Sequence, residues 1–136
     1  MQVLIDTGPL VAYLNRRDRW HRWAVEQMNS LVPPLVTCEP VVTEATFLIQ
    51  RNGGNPWDLV RKLDDGSLKI GMELQEEAAA IHLLMKRYVE TPMSLADACM
   101  VRLSERYPEC RVFTLDSDFE HYRRNGRQII PLLFPN

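Results

Sequence analysis

The chain has 136 residues, of which 46% are apolar and 25% charged, with a formal net charge of -2. That length reads as one domain spanning residues 1–136, large enough to bury a core, and the balance is that of a globular protein rather than a disordered or fibrous one. A slightly acidic chain is not basic overall, although a local basic rim can still steer phosphate.

No apolar run approaches the roughly 18 residues of a membrane span, and the start lacks the basic-then-apolar pattern of a secretory leader. No membrane contact and a cytoplasmic location are therefore expected. The three cysteines, Cys38, Cys99 and Cys110, match no zinc spacing and lie in or beside apolar segments, so they read as reduced core residues.

Taken in order, Met1 to Leu14 reads strand, acid, turn, helix. Val3, Leu4 and Ile5 form the short continuous apolar run of a strand buried on both faces. Asp6 ends it, Thr7 can cap a helix, Gly8 permits a sharp turn, and Pro9 suits a first helical turn. An acid at the carboxyl end of a buried strand lies where open α/β sheets place their ligands. After a charged loop, Asn15 to Arg19, a helix is expected from about Trp20 to Leu31, stopped by Pro33 and Pro34. The arginines at 16, 17, 19 and 22 read as a solvated face or as a phosphate-facing rim.

Leu35 to Cys38 reads as a second strand and Val41 to Gln50 as a helix. Glu44 falls in its early turns, where the helix dipole favours a negative charge. A helix from Trp57 to Leu63 and a strand from Leu68 to Ile70 follow. Gln75 to Tyr88 is an amphipathic helix with Ala78, Ile81, Leu84 and Met85 on one stripe. In residues 94–105, Ser94 and Asp97 have capping-box spacing, which explains Asp97 as a cap and equally holds a carboxylate rigidly at a helix start. Val112 to Leu115 reads as a fourth strand, followed by Asp116, Ser117, Asp118 and Phe119, which repeats the opening pattern. A short helix to about Asn125, ended by Gly126, and a last strand from Gln128 to Leu132 complete the chain.

Two acids thus follow apolar strands, Asp6 and Asp116, and two sit near helix starts, Glu44 and Asp97. In a parallel α/β sheet these positions share one edge. Two charges about 4 Å apart cost about 4 kcal/mol at an effective dielectric near 20, so protonation or a divalent cation must relieve them. An all-oxygen donor set favours magnesium or manganese.

The stretches LIDTGPL around Asp6, PVVTE ending at Glu44, SLADA around Asp97 and TLDSDF around Asp116 resemble, in order and across nearly the whole chain, the PIN-domain ribonucleases of the VapC-like toxin type found in type II toxin–antitoxin pairs. The resemblance implies a three-layer PIN-like α/β fold with a central parallel five-stranded sheet flanked by helices. It implies divalent-metal-dependent endoribonuclease cleavage of single-stranded RNA with Mg2+ or Mn2+, a homodimer, and a cognate antitoxin protein. Carried over residue by residue, Asp6, Glu44, Asp97 and Asp116 are the catalytic, metal-binding acids and Asp118 is a further candidate ligand. Thr7, Ser94 and Thr114 are supporting residues. Two arginine clusters, Arg16, Arg17 and Arg19 and then Arg123, Arg124 and Arg127, are candidate RNA contacts, because the planar guanidinium fork suits phosphate.

Two alternatives stand beside this reading. One is a non-catalytic RNA- or partner-binding module of the same fold. The other is a magnesium-dependent phosphatase of the haloacid-dehalogenase type, which needs an acid two residues after Asp6, where this chain has Gly8. The phosphate-binding patterns GxxxxGK[ST] and GxGxxG are absent.

Overall fold

The computed structural model describes residues 1–136. Its centre is β1, Gln2–Ile5, whose Leu4 and Ile5 are wholly buried. This strand lies inside a five-stranded sheet between β2 (Leu35–Thr37) and β4 (Cys110–Phe113). Strand β3 (Leu68–Ile70) extends the sheet beyond β2, and Leu132–Leu133 extends it beyond β4. All four pairings are parallel, with Leu4 opposite both Val36 and Val112. A strand buried on both faces needs apolar residues throughout rather than alternation, which is why the continuous runs at 3–5 and 35–36 became strands.

Parallel strands need crossovers, and six helices flank the sheet. Helix α1 (Thr7–Leu14) follows β1, and α2 (His21–Ser30) packs on it. Helices α3 (Glu39–Arg51) and α4 (Trp57–Asp64) connect β2 to β3. Helices α5 (Leu74–Arg87) and α6 (Leu95–Arg106) pack together between β3 and β4. One connected core of 27 buried residues runs through these layers. At Gly71, just past β3, an added Cβ would fall 2.3 Å from a methyl of Val36, so no larger residue fits beside that strand pair.

The structure departs from the sequence reading in three places. Asp6 itself occupies the N-cap of α1, with extended backbone, and Thr7 is already helical. The buried side of α5 carries Glu77, Ile81 and Leu84, while Ala78 and Met85 are exposed. Glu77 is tolerated there because Arg102 Nε lies 2.6 Å from one oxygen and Arg106 Nη1 lies 2.8 Å from the other.

The third departure follows Asp116. The expected helix to Asn125 is a single 3-10 turn, Ser117–Glu120, followed by an antiparallel hairpin of β5 (Arg123–Arg124) and β6 (Gln128–Ile129). Asn125 and Gly126 take φ of 51° and 84°. Residues 125–127 form a three-residue connection between Arg124 and its partner Gln128, and the two positive φ values let it reverse tightly, so Asn-Gly here joins strands rather than ending a helix. The expected strand over 128–132 therefore divides, with its last part belonging to β7 (Leu132–Leu133) in the main sheet.

Candidate active site

The carboxyl edge of the sheet carries an open cleft of about 460 Å³, whose lining includes Asp6, Thr7, Glu44, Asp97, Asp116 and Ser117. Four segments distant in sequence bring their acids there, and no lysine, arginine or histidine lines the cleft. Gly8 also belongs to the wall. A Cβ at Gly8 would stand 3.1 Å from Cβ of Leu115, a contact that the first turn of α1 and the loop after β4 could admit only by giving a few tenths of an ångström.

Three of the acids are held by one oxygen each. Thr114 Oγ1 donates to Asp6 Oδ2 at 2.8 Å and accepts the amide of Asp116 at 3.0 Å, so one buried hydroxyl links two acidic segments. At the start of α6 both halves of a capping box are present: the Asp97 amide donates to Ser94 Oγ at 3.0 Å, and the Ser94 amide donates to Asp97 Oδ2 at 3.1 Å. Asp116 caps the 3-10 turn by accepting the Asp118 amide on Oδ1 at 2.9 Å. No protein donor reaches Asp97 Oδ1 or Asp116 Oδ2 at hydrogen-bond distance. Glu44 reaches the cleft from the exposed side of α3.

Asp118 contributes its backbone amide to Asp116, and its side chain is not part of the cleft lining. Thr7 lines the cleft, and its Oγ1 is buried with no hydrogen-bond partner.

Electrostatics follows from this packing. Asp6 is only 5% exposed. Its burial pushes the carboxyl up to about 7 from an ordinary 3.8, against the opposing Thr7 amide and Thr114 hydroxyl, and Asp97 and Asp116 push it further the same way. Asp97 is also raised, first by burial and then by Asp116, with the Ser94 and Tyr122 donors working against it. The cleft thus holds negative charge that the protein does not neutralise, partly offset by the positive ends of α1 and α6.

The arginine clusters do not join this group. Arg16 and Arg17 face a recess with Asn52, Gly53 and Gly54, beyond the far ends of α1 and α3. Arg19 lies over the Trp20 ring at 4.9 Å. Arg124 donates to the carbonyls of Ser104 and Pro108, at the end of α6 opposite Asp97, so its charge serves the fold there rather than the acidic edge. Arg123 donates to the carbonyls of Glu120 and Tyr122, and Arg127 is exposed beside the hairpin turn.

One side chain at the site carried no distinctive sequence signal. Tyr122 is fully buried, and its hydroxyl reaches Asp97 Oδ2 at 3.3 Å and the Pro92 carbonyl at 3.1 Å. Burial and the nearby acids hold its phenol well above the ordinary range. Its only trace in the sequence is the Phe119–Tyr122 spacing after the fourth acid.

A parallel α/β sheet with an uncompensated cluster of carboxylates at its carboxyl edge places this chain among the open α/β proteins that carry their site where the strands end. Residues 3–125 match the model of the PIN domain, and the chain belongs to the PIN-domain family. Ribonuclease VapC26 of Mycobacterium tuberculosis is 30% identical over 119 residues, covering 84% of this chain and 86% of that protein. In three dimensions the chain superposes on the crystal structure of VapC20 of the same organism, a Sarcin-Ricin loop cleaving toxin. The TM-score is 0.81 at 19% identity, covering 88% of this chain and 94% of that one. The sheet order and flanking helices are thus those of a PIN-like fold.

Proposed function

We propose that this chain is an endoribonuclease toxin that cleaves single-stranded RNA with a divalent cation, Mg2+ or Mn2+, held by Asp6, Glu44, Asp97 and Asp116. The observation that carries the reading is the cleft itself: four carboxylates from four segments, no cationic side chain among its lining, and a buried Thr7 hydroxyl left without a partner. The donor set fits a hard cation in kind, since every donor is oxygen. As they stand, no three of these side chains converge on one point, so the acids form the walls of the site rather than a closed cage. A bound divalent ion would lower the pKa of attacking water and stabilise charge on the scissile phosphate.

The chain's own residues supply the rest. Thr114, Ser94 and the Asp118 amide fix one oxygen each of Asp6, Asp97 and Asp116. Asp6, poised near 7 in the unliganded protein, is the acid whose charge most needs a partner. The kinship with a VapC ribonuclease and the shared fold with a VapC toxin support RNA as substrate, a cognate antitoxin as partner, and a cytoplasmic site of action. No helix is long and apolar enough to cross a membrane. Phe47 on α3 and Trp57 on α4, exposed at 60% and 65%, support a homodimer or antitoxin contact.

The test is incubation of a mixed RNA pool with Mg2+ and, separately, with EDTA, followed by mapping of the new ends. Discrete cuts in single-stranded positions that vanish in EDTA are expected. RNA binding without cleavage under any metal would instead favour the non-catalytic module.

A further inference from the structure

We infer that Tyr122 is a positioning residue for Asp97, its buried hydroxyl holding Asp97 Oδ2 so that Oδ1 faces the cleft. This deepens the metal-dependent reading and rests on it.

The ring is fixed from two sides. Tyr88 and Phe119 meet it edge to face, each with centroids 5.2 Å away, an arrangement that favours aromatic pairs. Phe119 belongs to the same 3-10 turn whose start carries Asp116. The Tyr122 amide donates to the Asp118 carbonyl at 3.1 Å, and the Arg123 amide donates to the Tyr88 hydroxyl at 2.9 Å, so the backbone on both sides of the ring is tied as well. The hydroxyl therefore arrives at Asp97 on a rigid arm.

Two donors then meet on one oxygen. Asp97 Oδ2 takes the Ser94 amide at 3.1 Å and the Tyr122 hydroxyl at 3.3 Å, while Oδ1 takes none. With the Ser94 contact alone the carboxylate can still swing about its last torsion, because such carboxylate torsions are broad. A second donor from a different direction removes that freedom and leaves one oxygen turned to the cleft. The phenol has a single proton and two acceptors, Asp97 and the Pro92 carbonyl. A purely architectural tyrosine would need only Pro92. Groups that orient a ligand without touching the metal typically alter metal affinity or activity by about 10–100-fold when removed.

The experiment uses the full chain as wild type, Tyr122→Phe, Asp97→Ala and the double variant. Free Mn2+ is measured by electron paramagnetic resonance during titration, and each protein is checked by circular dichroism and thermal melting. Tyr122→Phe should stay folded and bind Mn2+ at least about 10-fold more weakly, while the double variant binds no more weakly than Asp97→Ala alone. Mn2+ affinity of Tyr122→Phe within about twofold of wild type would overturn the inference. So would an equal further loss in the Asp97→Ala background, where no side-chain oxygen remains for the hydroxyl to hold, which would assign it to the fold through Pro92. Wild-type protein that binds no Mn2+ would overturn the metal-dependent reading itself, and this inference with it.

Discussion

Asp6→Asn tests the electrostatics of the cleft directly. In the metal-free protein, burial raises Asp6 from 3.8 to about 7. At about 1.4 kcal/mol per tenfold change in proton affinity, that rise corresponds to about 4 kcal/mol. The sign is set by which state holds the proton. Below pH 4 Asp6 is protonated in both the folded and the unfolded chain, and the folded state bears no penalty. Between about pH 4 and 7 the unfolded chain loses the proton while the folded chain keeps it, so stability falls as pH rises, levelling off above about 7. Asp97, also raised, adds in the same direction.

Asparagine in place of Asp6 keeps an acceptor for the Thr114 hydroxyl and removes the charge. The exchange weakens that one hydrogen bond by about 1 kcal/mol, so the variant should be about 2–4 kcal/mol more stable than wild type at pH 8 in EDTA. The advantage should mostly disappear at pH 4.5. Urea unfolding followed by circular dichroism at the two pH values measures both differences. A variant no more stable than wild type at pH 8, or an advantage of equal size at pH 4.5, would show that the buried Asp6 charge does not destabilise the metal-free fold.

Saturating Mg2+ should reverse the same penalty in wild type: at about 100 times its dissociation constant, linkage adds roughly 2.7 kcal/mol, and a melting curve unmoved by Mg2+ or Mn2+ would count against a preformed acidic site. Glu77→Gln removes the charge shared by Arg102 and Arg106 and should cost about 3 kcal/mol in urea unfolding, toward the low end for buried pairs because Arg106 is largely exposed; a loss below about 1 kcal/mol would show the network to be weak. In an inactive Asp116→Asn background, Arg16→Ala with Arg17→Ala should make the salt dependence of RNA binding shallower, by about 0.7 in log–log slope for each phosphate no longer neutralised. An unchanged slope would remove that recess from the RNA path.

Much of this architecture was legible because local and global signals agreed. The apolar runs at 3–5, 35–38 and 112–115 could satisfy their backbones and bury both faces only in a parallel sheet. Each acid that follows such a run must then emerge at the carboxyl edge, so topology alone places Asp6 and Asp116. Ser94 and Asp97 were legible as a pair because capping joins near neighbours in sequence.

What was not legible depended on long-range contacts or on competing readings of one residue. The buried Glu77 interrupts the apolar stripe of α5, and only the arrival of α6 with Arg102 and Arg106 makes that burial tolerable. Gly126 reads alike as a helix stop or as half of a hairpin turn, and the flanking pairs at 123–124 and 128–129 are too short to announce strands. Arg124 reads from its neighbours as a phosphate contact, yet its guanidinium is occupied by the Ser104 and Pro108 carbonyls and does not reach the acidic edge. Tyr122 meets Asp97 from 25 residues away, through an aromatic cluster that no periodicity marks.

If the four carboxylates form one catalytic site rather than a set of separate caps and strand ends, loss of one charge should stop cleavage while leaving the fold intact. Single-turnover RNA cleavage by folded Asp97→Asn in saturating Mg2+ measures this. The asparagine retains a side-chain oxygen for the Ser94 amide and the Tyr122 hydroxyl, and the backbone half of the capping box is untouched, so the fold should survive. The lost negative charge should remove several kcal/mol of transition-state stabilisation, so the rate should fall at least about 100-fold below wild type with an unchanged circular dichroism spectrum. A folded Asp97→Asn protein that cuts the same RNA at a near-wild-type rate would contradict a single four-acid site and reduce Asp97 to a helix cap.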